Sequence, residues 1–225
     1  MISLGSSKLT VGTNNLSATF SGLIQDGGLS GGTGGSLAKV GTRTFTLGGG
    51  NLYTGGTTVT LGDFIVSNKT GSATGPGPVQ VNGGRIGGAG TIAGPLTIGD
   101  PSGSAATLIP ALGSKKQVVL NVSSAVTFNA GASYSYSLNT SQSTSDRVVA
   151  NGVTINAGAS FSFHARGNGV LPAGTVFTAI DNTAATPIAG NFSNLAEGAT
   201  IVAGSNTYQV SYLGGTGNDI TLTVL

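Results

Sequence analysis

Residues 55–62 read Gly-Gly-Thr-Thr-Val-Thr-Leu-Gly, a short run of β-forming residues with glycine at each end. Residues 77–84, Gly-Pro-Val-Gln-Val-Asn-Gly-Gly, and residues 150–158, Ala-Asn-Gly-Val-Thr-Ile-Asn-Ala-Gly, follow the same plan. Apolar and polar residues alternate in each run, which points one set toward a core and the other toward solvent. Short strands closed by glycine-bearing corners predict a coiled chain in which like segments stack on like.

Strand signals recur on both sides of these segments. Threonine and aromatic residues are frequent in them, which favours strands over helices. Glycine and asparagine pairs separate them and supply the positive φ angles that corners need. No segment combines a helix cap with an apolar period of 3.6, so an all-β fold is predicted. The alternating runs span residues 44–47, 58–61, 118–122, 126–128, 134–138, 153–155, 161–163, 208–210 and 220–224.

Two β architectures compete for this pattern. A sandwich or a closed antiparallel sheet would join neighbouring strands by hairpins, whereas a parallel β-solenoid would wind the chain into coils. The recurrence of similar segments favours the solenoid. With ~20 residues per coil and ~4.8 Å between strands, we expect about eleven coils and a rod roughly 50 Å long.

Composition narrows the class further. The 225 residues include 40 glycines, yet 38% of residues are hydrophobic and the net charge is +2, the opposite of a disordered composition. Glycine does not recur at every third position, which excludes collagen, and no run of ~18 apolar residues is present to span a membrane. Charged residues make up 7%, as expected where like side chains stack between coils. One basic pair, Lys115-Lys116, is too little for a nucleic-acid partner.

The segment Gly35-Ser-Leu-Ala-Lys-Val-Gly-Thr-Arg-Thr-Phe-Thr-Leu-Gly-Gly-Gly-Asn-Leu-Tyr-Thr-Gly-Gly-Thr-Thr-Val59 closely resembles the autotransporter-associated β-strand repeat. The family pattern runs roughly GSLTKxGxGTLTLSGxNTYTGGTTV. The chain departs from it at Arg43, Phe45 and Leu52, which replace Gly, Leu and Thr or Ser. It matches the pattern at Lys39, Gly41, Leu47, Asn51, Tyr53, Thr54, Gly55, Gly56 and Thr57.

Segments 15–28, 71–75 and 87–92 also resemble parts of such proteins. The resemblance implies a right-handed parallel β-helix, the passenger segment of a bacterial autotransporter-like protein, secreted or located on the cell surface. It divides the chain into a β-solenoid repeat region, residues 1–144 with the repeat near 35–66, and a C-terminal solenoid end, residues 145–225. Residues 1–5 carry neither a basic nor an apolar leader, so we expect an export signal to have been removed.

Few residues are candidates for chemistry. Asp26, Asp63 and Asp100 follow one another at intervals of 37 residues. On coils of about 18–19 residues they would stack two coils apart, about 9–10 Å, near the upper limit for the carboxylates of an inverting glycosidase. We favour the alternative that each aspartate occupies a polar corner. His164 is the one histidine, and we expect it to be solvated, with no Ser-His-Asp arrangement and no zinc site.

For the glycine-rich and aromatic motifs, too, a structural role is favoured over a binding site. The run Gly214-Gly-Thr-Gly-Asn-Asp219 matches the opening of the calcium-binding nonapeptide repeat, but a single copy predicts a turn into the last strand rather than a metal site. Residues 31–35 lack the lysine and the following helix of a phosphate loop. Tyrosines could stack on sugars, although core or corner packing is favoured for them. The five are Tyr53, Tyr134, Tyr136, Tyr208 and Tyr212.

We therefore expect a structural stalk, fibre or adhesive scaffold without enzyme activity, metal or cofactor. The alternatives are an adhesin that binds glycans or host surfaces through Tyr, Thr and Asn side chains and, less favoured, a polysaccharide-degrading β-helix enzyme. The end segments, residues 6–11 and 220–225, have little polar capping, which predicts head-to-tail stacking of molecules into filaments. The competing expectation is that the glycine-rich N-terminus or the loop at residues 182–191 folds over an end.

Overall fold

The computed structural model describes residues 1–29 and 31–225, which contain strands, turns and loops but no helix. The expected all-β fold is confirmed, and within the described chain no helix is available to cross a membrane. In chain order the strands are β1 (Ile2–Ser3), β2 (Lys8–Val11), β3 (Ala18–Phe20), β4 (Ile24–Gln25), β5 (Ser36–Lys39), β6 (Thr44–Leu47), β7 (Thr57–Val59), β8 (Asp63–Val66), β9 (Val79–Val81), β10 (Gly84–Gly87), β11 (Thr91–Ile92), β12 (Leu96–Ile98), β13 (Ala106–Leu108), β14 (Val119–Val122), β15 (Val126–Phe128), β16 (Ser133–Asn139), β17 (Thr144–Ser145), β18 (Arg147–Ala150), β19 (Val153–Ile155), β20 (Ser160–Arg166), β21 (Val176–Asn182), β22 (Thr200–Ala203), β23 (Asn206–Gly214) and β24 (Asp219–Val224).

Most strands belong to three long sheets that the chain visits in turn. Sheet I has the order β2-β5-β7-β9-β12-β15-β19. Sheet II has the order β3-β6-β8-β10-β13-β16, with β17 and β20 both on β16, and sheet III has the order β11-β14-β18-β21-β24-β23-β22. From β9 to β21, with β17 aside, successive strands fall in sheets I, II and III in repeating order. Each winding of the chain thus adds one strand to each sheet, an arrangement compatible with a β-solenoid.

The side of the molecule formed by sheet III continues toward the N-terminus beyond β11. Backbone hydrogen bonds join successive coils there, although the paired segments are too short to form regular strands. The Leu52 amide donates to the Ile24 carbonyl at 2.8 Å, and the Asn51 amide donates to the Ser72 carbonyl at 2.7 Å. The Ala73 amide donates to the Thr91 carbonyl at 2.8 Å, at the edge of sheet III. These bonds link sheet III to the parallel pair formed by β1 and β4.

Inward side chains keep their register from coil to coil, because a shift of one residue would turn every apolar side chain outward. Sheet I stacks the inward column Leu9, Leu37, Thr57, Val79, Leu96, Val126 and Val153. Sheet II stacks the column Phe45, Phe64, Ile86, Leu108, Tyr134 and Phe161. Apart from Leu9 in the first coil, all of these residues are buried. A fully buried apolar side chain of this size contributes roughly 1.5–3 kcal/mol, so the two columns are a substantial part of the core.

The coils are longer and fewer than expected. Partners in sheet I lie 17 residues apart from Gln80 to Thr97, but 30 residues apart from Thr97 to Thr127. The difference resides in corner loops, such as residues 99–105 and 109–118, that leave the sheets between two strands. Sheet I has seven strands, which at ~4.8 Å per spacing span about 29 Å. The expected eleven coils and 50 Å rod are therefore wrong.

The C-terminal part departs from parallel stacking. Strand β24 pairs antiparallel with β21 on one side and with β23 on the other, and β22 pairs antiparallel with β23. Sheet III is therefore mixed, and the last strand is not the free edge that its apolar sequence suggested. The cause is the turn at residues 214–219, where Gly215 and Gly217 adopt φ angles of +58° and +101° and reverse the chain.

The loop after β21 covers two further strands. Ala189 forms a parallel bridge with Thr154 of β19, and the Ile155 amide donates to the Ala189 carbonyl at 2.7 Å. The Asn194 side chain accepts from the Phe161 amide of β20 and donates to the Phe161 carbonyl, both at 2.8 Å. The coverage of an end by the loop at residues 182–191, which was the alternative to an open end, is thus what the structure contains.

Candidate functional site

Asp26 lies in a corner directly after β4. Its carboxylate accepts hydrogen bonds from the Thr54 hydroxyl at 2.6 Å, the Gly35 amide at 2.9 Å and the Gly34 amide at 3.1 Å. The Thr54 hydroxyl bond is the largest influence that holds the pKa of Asp26 below its usual value. The side chain joins corners of neighbouring coils, so the corner interpretation is confirmed for this residue.

Asp63 is the first residue of β8, where it stacks in register between Thr44 of β6 and Arg85 of β10. Arg85 Nε donates to Asp63 Oδ1 at 2.6 Å, and Arg85 Nη2 donates to Asp63 Oδ2 at 2.8 Å. A bidentate pair of this geometry is among the stronger charge-assisted contacts. Asp63 thus forms an ion pair at the start of a strand, one residue beyond the corner at Gly62.

Asp100 lies in the loop that follows β12. Its carboxylate accepts from the hydroxyls of Ser102 and Ser104 at 2.6 and 2.8 Å, and from their backbone amides at 2.9 and 3.1 Å. The Ser102 hydroxyl is the first cause of the lowering of the Asp100 pKa to about 2. Asp26 lies in the corner after β4, whereas Asp63 and Asp100 both lie where the chain passes from a strand of sheet I to a strand of sheet II. The residue in register two coils from Asp63 is Thr107 of β13 rather than Asp100, so the aspartates do not stack on one another.

His164 and the glycine-rich turn at residues 214–219 lie where the sequence predicted, the first in solvent and the second at the start of the last strand. His164 is exposed on β20, with Ser137 of β16 as its neighbour in register. In the turn, Asp219 Oδ1 accepts from the Asn182 amide at 2.9 Å, and the Asn218 side chain donates to the Asn182 carbonyl at 3.0 Å. These contacts tie the turn to β21. In the part of the chain that the structure describes, no group of three or more His, Asp or Glu side chains is placed to hold a metal.

All five tyrosines are buried in the core, as favoured from the sequence. Tyr53 Oη lies 2.5 Å from Thr57 Oγ1, and Tyr134 Oη donates to the Ala179 carbonyl at 2.8 Å. Tyr212 Oη donates to the Leu195 carbonyl at 2.7 Å. A ring in such a position cannot stack on a sugar, so a glycan would have to be recognised by other side chains.

Lys39, a residue of the repeat-like segment, is 1% exposed at the end of β5. Its ammonium group donates to the carbonyls of Val40 and Gly41 at 2.8 Å and to the Leu61 carbonyl of the next coil at 2.9 Å. All three ammonium hydrogens are thus used. Burial lowers the pKa of Lys39, and the negative charge of Asp63 opposes that shift. Lys39 therefore bonds two successive corners together.

Asn51, a second residue of that segment, bridges three coils. Its Oδ1 accepts from the Ile24 amide at 2.8 Å, and its Nδ2 donates to the Ala73 carbonyl at 2.6 Å. A side-chain amide carries the same donor and acceptor as a peptide group, so Asn51 substitutes for a strand residue in the ladder. Sequence reasoning missed this use of asparagine. Four other asparagines also bond backbone groups through both the oxygen and the nitrogen of the side-chain amide: Asn68, Asn182, Asn194 and Asn206.

Four glycines occupy one corner column between sheets I and II, namely Gly12, Gly41, Gly62 and Gly84. Their φ angles are +90°, +72°, +72° and +75°. A Cβ added at Gly41 would collide with the Gly12 carbonyl oxygen, and one added at Gly84 would collide with the Gly62 carbonyl oxygen. The backbones of successive corners therefore stack in direct contact, which a side chain would prevent.

A buried polar cluster in the C-terminal part was also missed. Asp146, between β17 and β18, is fully buried, and its Oδ1 accepts from the Val118 amide at 3.1 Å. Within the described residues, Asp146 Oδ2 and the hydroxyls of Tyr136 and Tyr208 have no hydrogen-bond partner. Burial raises the pKa of Asp146, and the Val118 bond opposes that shift. The local sequence Ser-Thr-Ser-Asp-Arg is typical of an exposed turn and carries no signal of burial.

Replacement of Asp146 by asparagine should increase stability at neutral pH by about 1 kcal/mol, because a buried oxygen without a partner loses its charge. The pKa of Asp146 is higher in the folded state than in the unfolded state, where it is 3.8. Its contribution to stability is therefore fully present below pH 3.8 and is lost as the pH rises through the folded-state value. Urea unfolding from pH 3 to pH 8 should show a flatter pH profile for Asp146→Asn than for the parent.

Asp100→Asn is the matched control for that experiment. The pKa of Asp100 is lowered to about 2, so its contribution is present above pH 3.8 and is lost as the pH falls toward 2. Its replacement should change the pH profile in the opposite direction. A loss of stability at neutral pH in Asp146→Asn, equal to that in Asp100→Asn, would contradict the assigned burial effect.

Comparisons of the chain with protein-family models, with curated protein sequences and with solved structures found no match.

Proposed function

We propose that this chain is a right-handed parallel β-helix of the passenger type and acts as a structural stalk or scaffold on the outside of a bacterial cell. The resemblance of residues 35–59 to the autotransporter-associated repeat supports the location and the handedness. The windings through sheets I, II and III support the rod-like form. In this role the chain holds a functional element away from the surface, and its own surface carries out no reaction.

The observation that carries the proposal is the use of the repeat-like residues. Lys39, Asn51 and Thr54 each bond one coil to another. Tyr53 fills the core, and Gly41 allows two corners to touch. Three polar residues of the motif thus form contacts that stack the coils, and stacking is what a stalk requires. The carboxylates of Asp26 and Asp63 also bond one coil to another, and that of Asp100 bonds to Ser102 and Ser104 within its own loop.

Surface display would test the scaffold role. Residues 1–225 are fused between an outer-membrane anchor and an N-terminal epitope tag, and a flexible Gly/Ser linker of equal length serves as the control. We expect the fusion to present the epitope to antibody and to resist proteinase K, because a stacked ladder has few exposed backbone sites. The linker should be degraded. Degradation of the fusion at the rate of the linker would contradict the scaffold proposal.

A second candidate function, glycan binding, is favoured by one surface feature. The outward column of sheet I is uncharged and in continuous register, and all but two of its residues are threonines: Thr10, Ala38, Thr58, Gln80, Thr97, Thr127 and Thr154. Its hydroxyl groups recur at the strand spacing of ~4.8 Å over several coils. A polymer with regularly spaced hydroxyl groups would fit such a column.

A glycan array separates the two functions. The purified chain and a Thr97→Lys, Thr127→Lys variant are compared, because lysines at these outward positions would disrupt the column without entering the core. Binding by the parent that the variant loses would establish the adhesin function. Background signal from both proteins is expected if the chain is a scaffold.

A further inference from the structure

The two ends of the described fold differ in how their strands are covered. At the C-terminal end, sheet III continues into an antiparallel hairpin, Ala189 bridges β19, and Asn194 bonds to β20. At the N-terminal end, β2 pairs with β5 alone and β3 with β6 alone, and β1 has β4 as its partner. Within the described residues, these three strands have no neighbour on their outer side. Unpaired strand edges of this kind are templates for pairing with another chain.

Apolar side chains accompany these edges. The apolar side chains that pack against the core at this end are only partly buried, whereas core side chains of later coils are completely buried. The partly buried residues are Ile2, Leu4, Leu9, Val11 and Phe20. Leu16 and Leu29, in the neighbouring loops, are 66% and fully exposed. Burying these side chains against a second surface would add the hydrophobic stabilisation that their later counterparts already have.

We propose that two copies of this chain associate through their N-terminal ends about a two-fold axis. A head-to-tail filament would need strand edges at the C-terminal end that match β2 and β3, and the edges of β19 and β20 are occupied there by Ala189 and Asn194. The N-terminal end of a second copy presents the required edges. A contact that uses the same patch on both molecules is closed, so assembly stops at the dimer. The terminal coil of roughly 20–30 residues is also the size of one side of a standard interface.

The alternation in β2 fixes the register of this pairing. Across a two-fold axis β2 meets its copy antiparallel, and directly opposite residues point to the same face. The partly buried Leu9 and Val11 must stay on the inner face. Of the registers that allow this, the one centred on Thr10 gives both side chains an apolar partner, because it places Leu9 of one copy opposite Val11 of the other. Thr10, which is exposed, then lies on the axis opposite its own copy. The two Lys8 side chains lie about 13 Å apart at ~3.3 Å per residue, beyond the ~8–10 Å over which exposed charges repel in salt.

Cysteine cross-linking tests this arrangement, because the chain contains no native cysteine. Opposed Cβ atoms on an antiparallel pair are ~4.5–5.5 Å apart, which a small adjustment brings within disulfide reach. Under mild oxidation, we expect the Thr10→Cys variant to form a covalent dimer at more than tenfold the yield of a Thr154→Cys variant. Thr154 belongs to the same outward column at the other end of sheet I, so it controls for random collision.

Light scattering of the purified chain gives an independent measure. We expect a dimer at micromolar concentration and a monomer for Thr10→Lys, which places two like charges on the axis, with an unchanged circular dichroism spectrum. A monomer for the parent at all concentrations would overturn the proposal. Chain-like oligomers in light scattering would also overturn the proposal. So would more efficient cross-linking in a mixture of Thr10→Cys and Thr154→Cys than in Thr10→Cys alone, because both results indicate head-to-tail contact. The scaffold function does not depend on any of these outcomes, because a monomeric rod would still pass the display experiment.

Discussion

Replacement of Gly62 by alanine is expected to lower the free energy of unfolding by roughly 2–5 kcal/mol, a large part of the roughly 5–15 kcal/mol by which native domains are stable. Gly62 adopts a φ of +72°, and alanine in that conformation costs about 1–2 kcal/mol. An added Cβ would also lie 2.5 Å from the Gly41 carbonyl oxygen and 2.7 Å from the Arg43 carbonyl oxygen. Both are backbone atoms of the adjacent coil, so relief requires the coils to separate, at a further cost of about 1–3 kcal/mol.

Gly198 provides a matched control for the conformational part of this effect. Its φ is +74°, but a Cβ added there would have nothing within 4 Å. Gly198→Ala should therefore cost about 1–2 kcal/mol, and the difference between the two variants in urea unfolding measures the stacking of corners. Equal losses in Gly62→Ala and Gly198→Ala would show that the corners are not in contact.

The second large effect is expected for Lys39→Met, which should cost about 3 kcal/mol in urea unfolding. Methionine retains the apolar stem but leaves the carbonyls of Val40, Gly41 and Leu61 without the ammonium donor. Each buried polar group that loses its partner costs about 1–3 kcal/mol, while removal of a buried charge returns part of that loss.

Lys116→Met controls for the loss of a positive charge as such. Lys116 is exposed, and a surface substitution of this kind changes stability by about 0.5 kcal/mol or less. A Lys39→Met variant as stable as Lys116→Met would show that the desolvation of the ammonium group outweighs its three hydrogen bonds. In that event the lysine of the repeat-like segment would need an explanation other than the bonding of corners.

The strands were predictable because the alternation of inward apolar and outward polar residues recurs along the sequence. In the segment around Val59 and again around Val153, every second residue must enter the core, and this alternation is visible in the sequence. The corner role of Asp26 was predictable for a similar reason, since an aspartate followed by two glycines is a turn signal. The stacking partners were not, because the loops between Thr97 and Thr127 lengthen one coil without disturbing the alternation on either side.

Polar groups in the interior were the main features that the sequence did not reveal. Asn51 has the same local sequence character as an exposed turn residue, and its role in the ladder depends on which coils pass on either side. Asp146 is surrounded in sequence by polar residues, yet tertiary packing buries it where it bonds to Val118 and to Ser137 of β16. The antiparallel end was hidden for a related reason. A glycine-rich turn at residues 214–219 fits either a further coil or a hairpin, and the choice depends on the edge that β21 offers.

The central claim is that strands distant in sequence stack in one parallel sheet at a constant spacing. Spin labels on cysteines introduced at Ala38 and Thr154 should give a narrow distance distribution near 24 Å, since five strand spacings of ~4.8 Å separate these positions in sheet I. Labels at Thr58 and Thr154 should give a distance near 19 Å, one spacing shorter. Broad distributions, or a pair of distances that does not differ by about one strand spacing, would contradict the stacked arrangement.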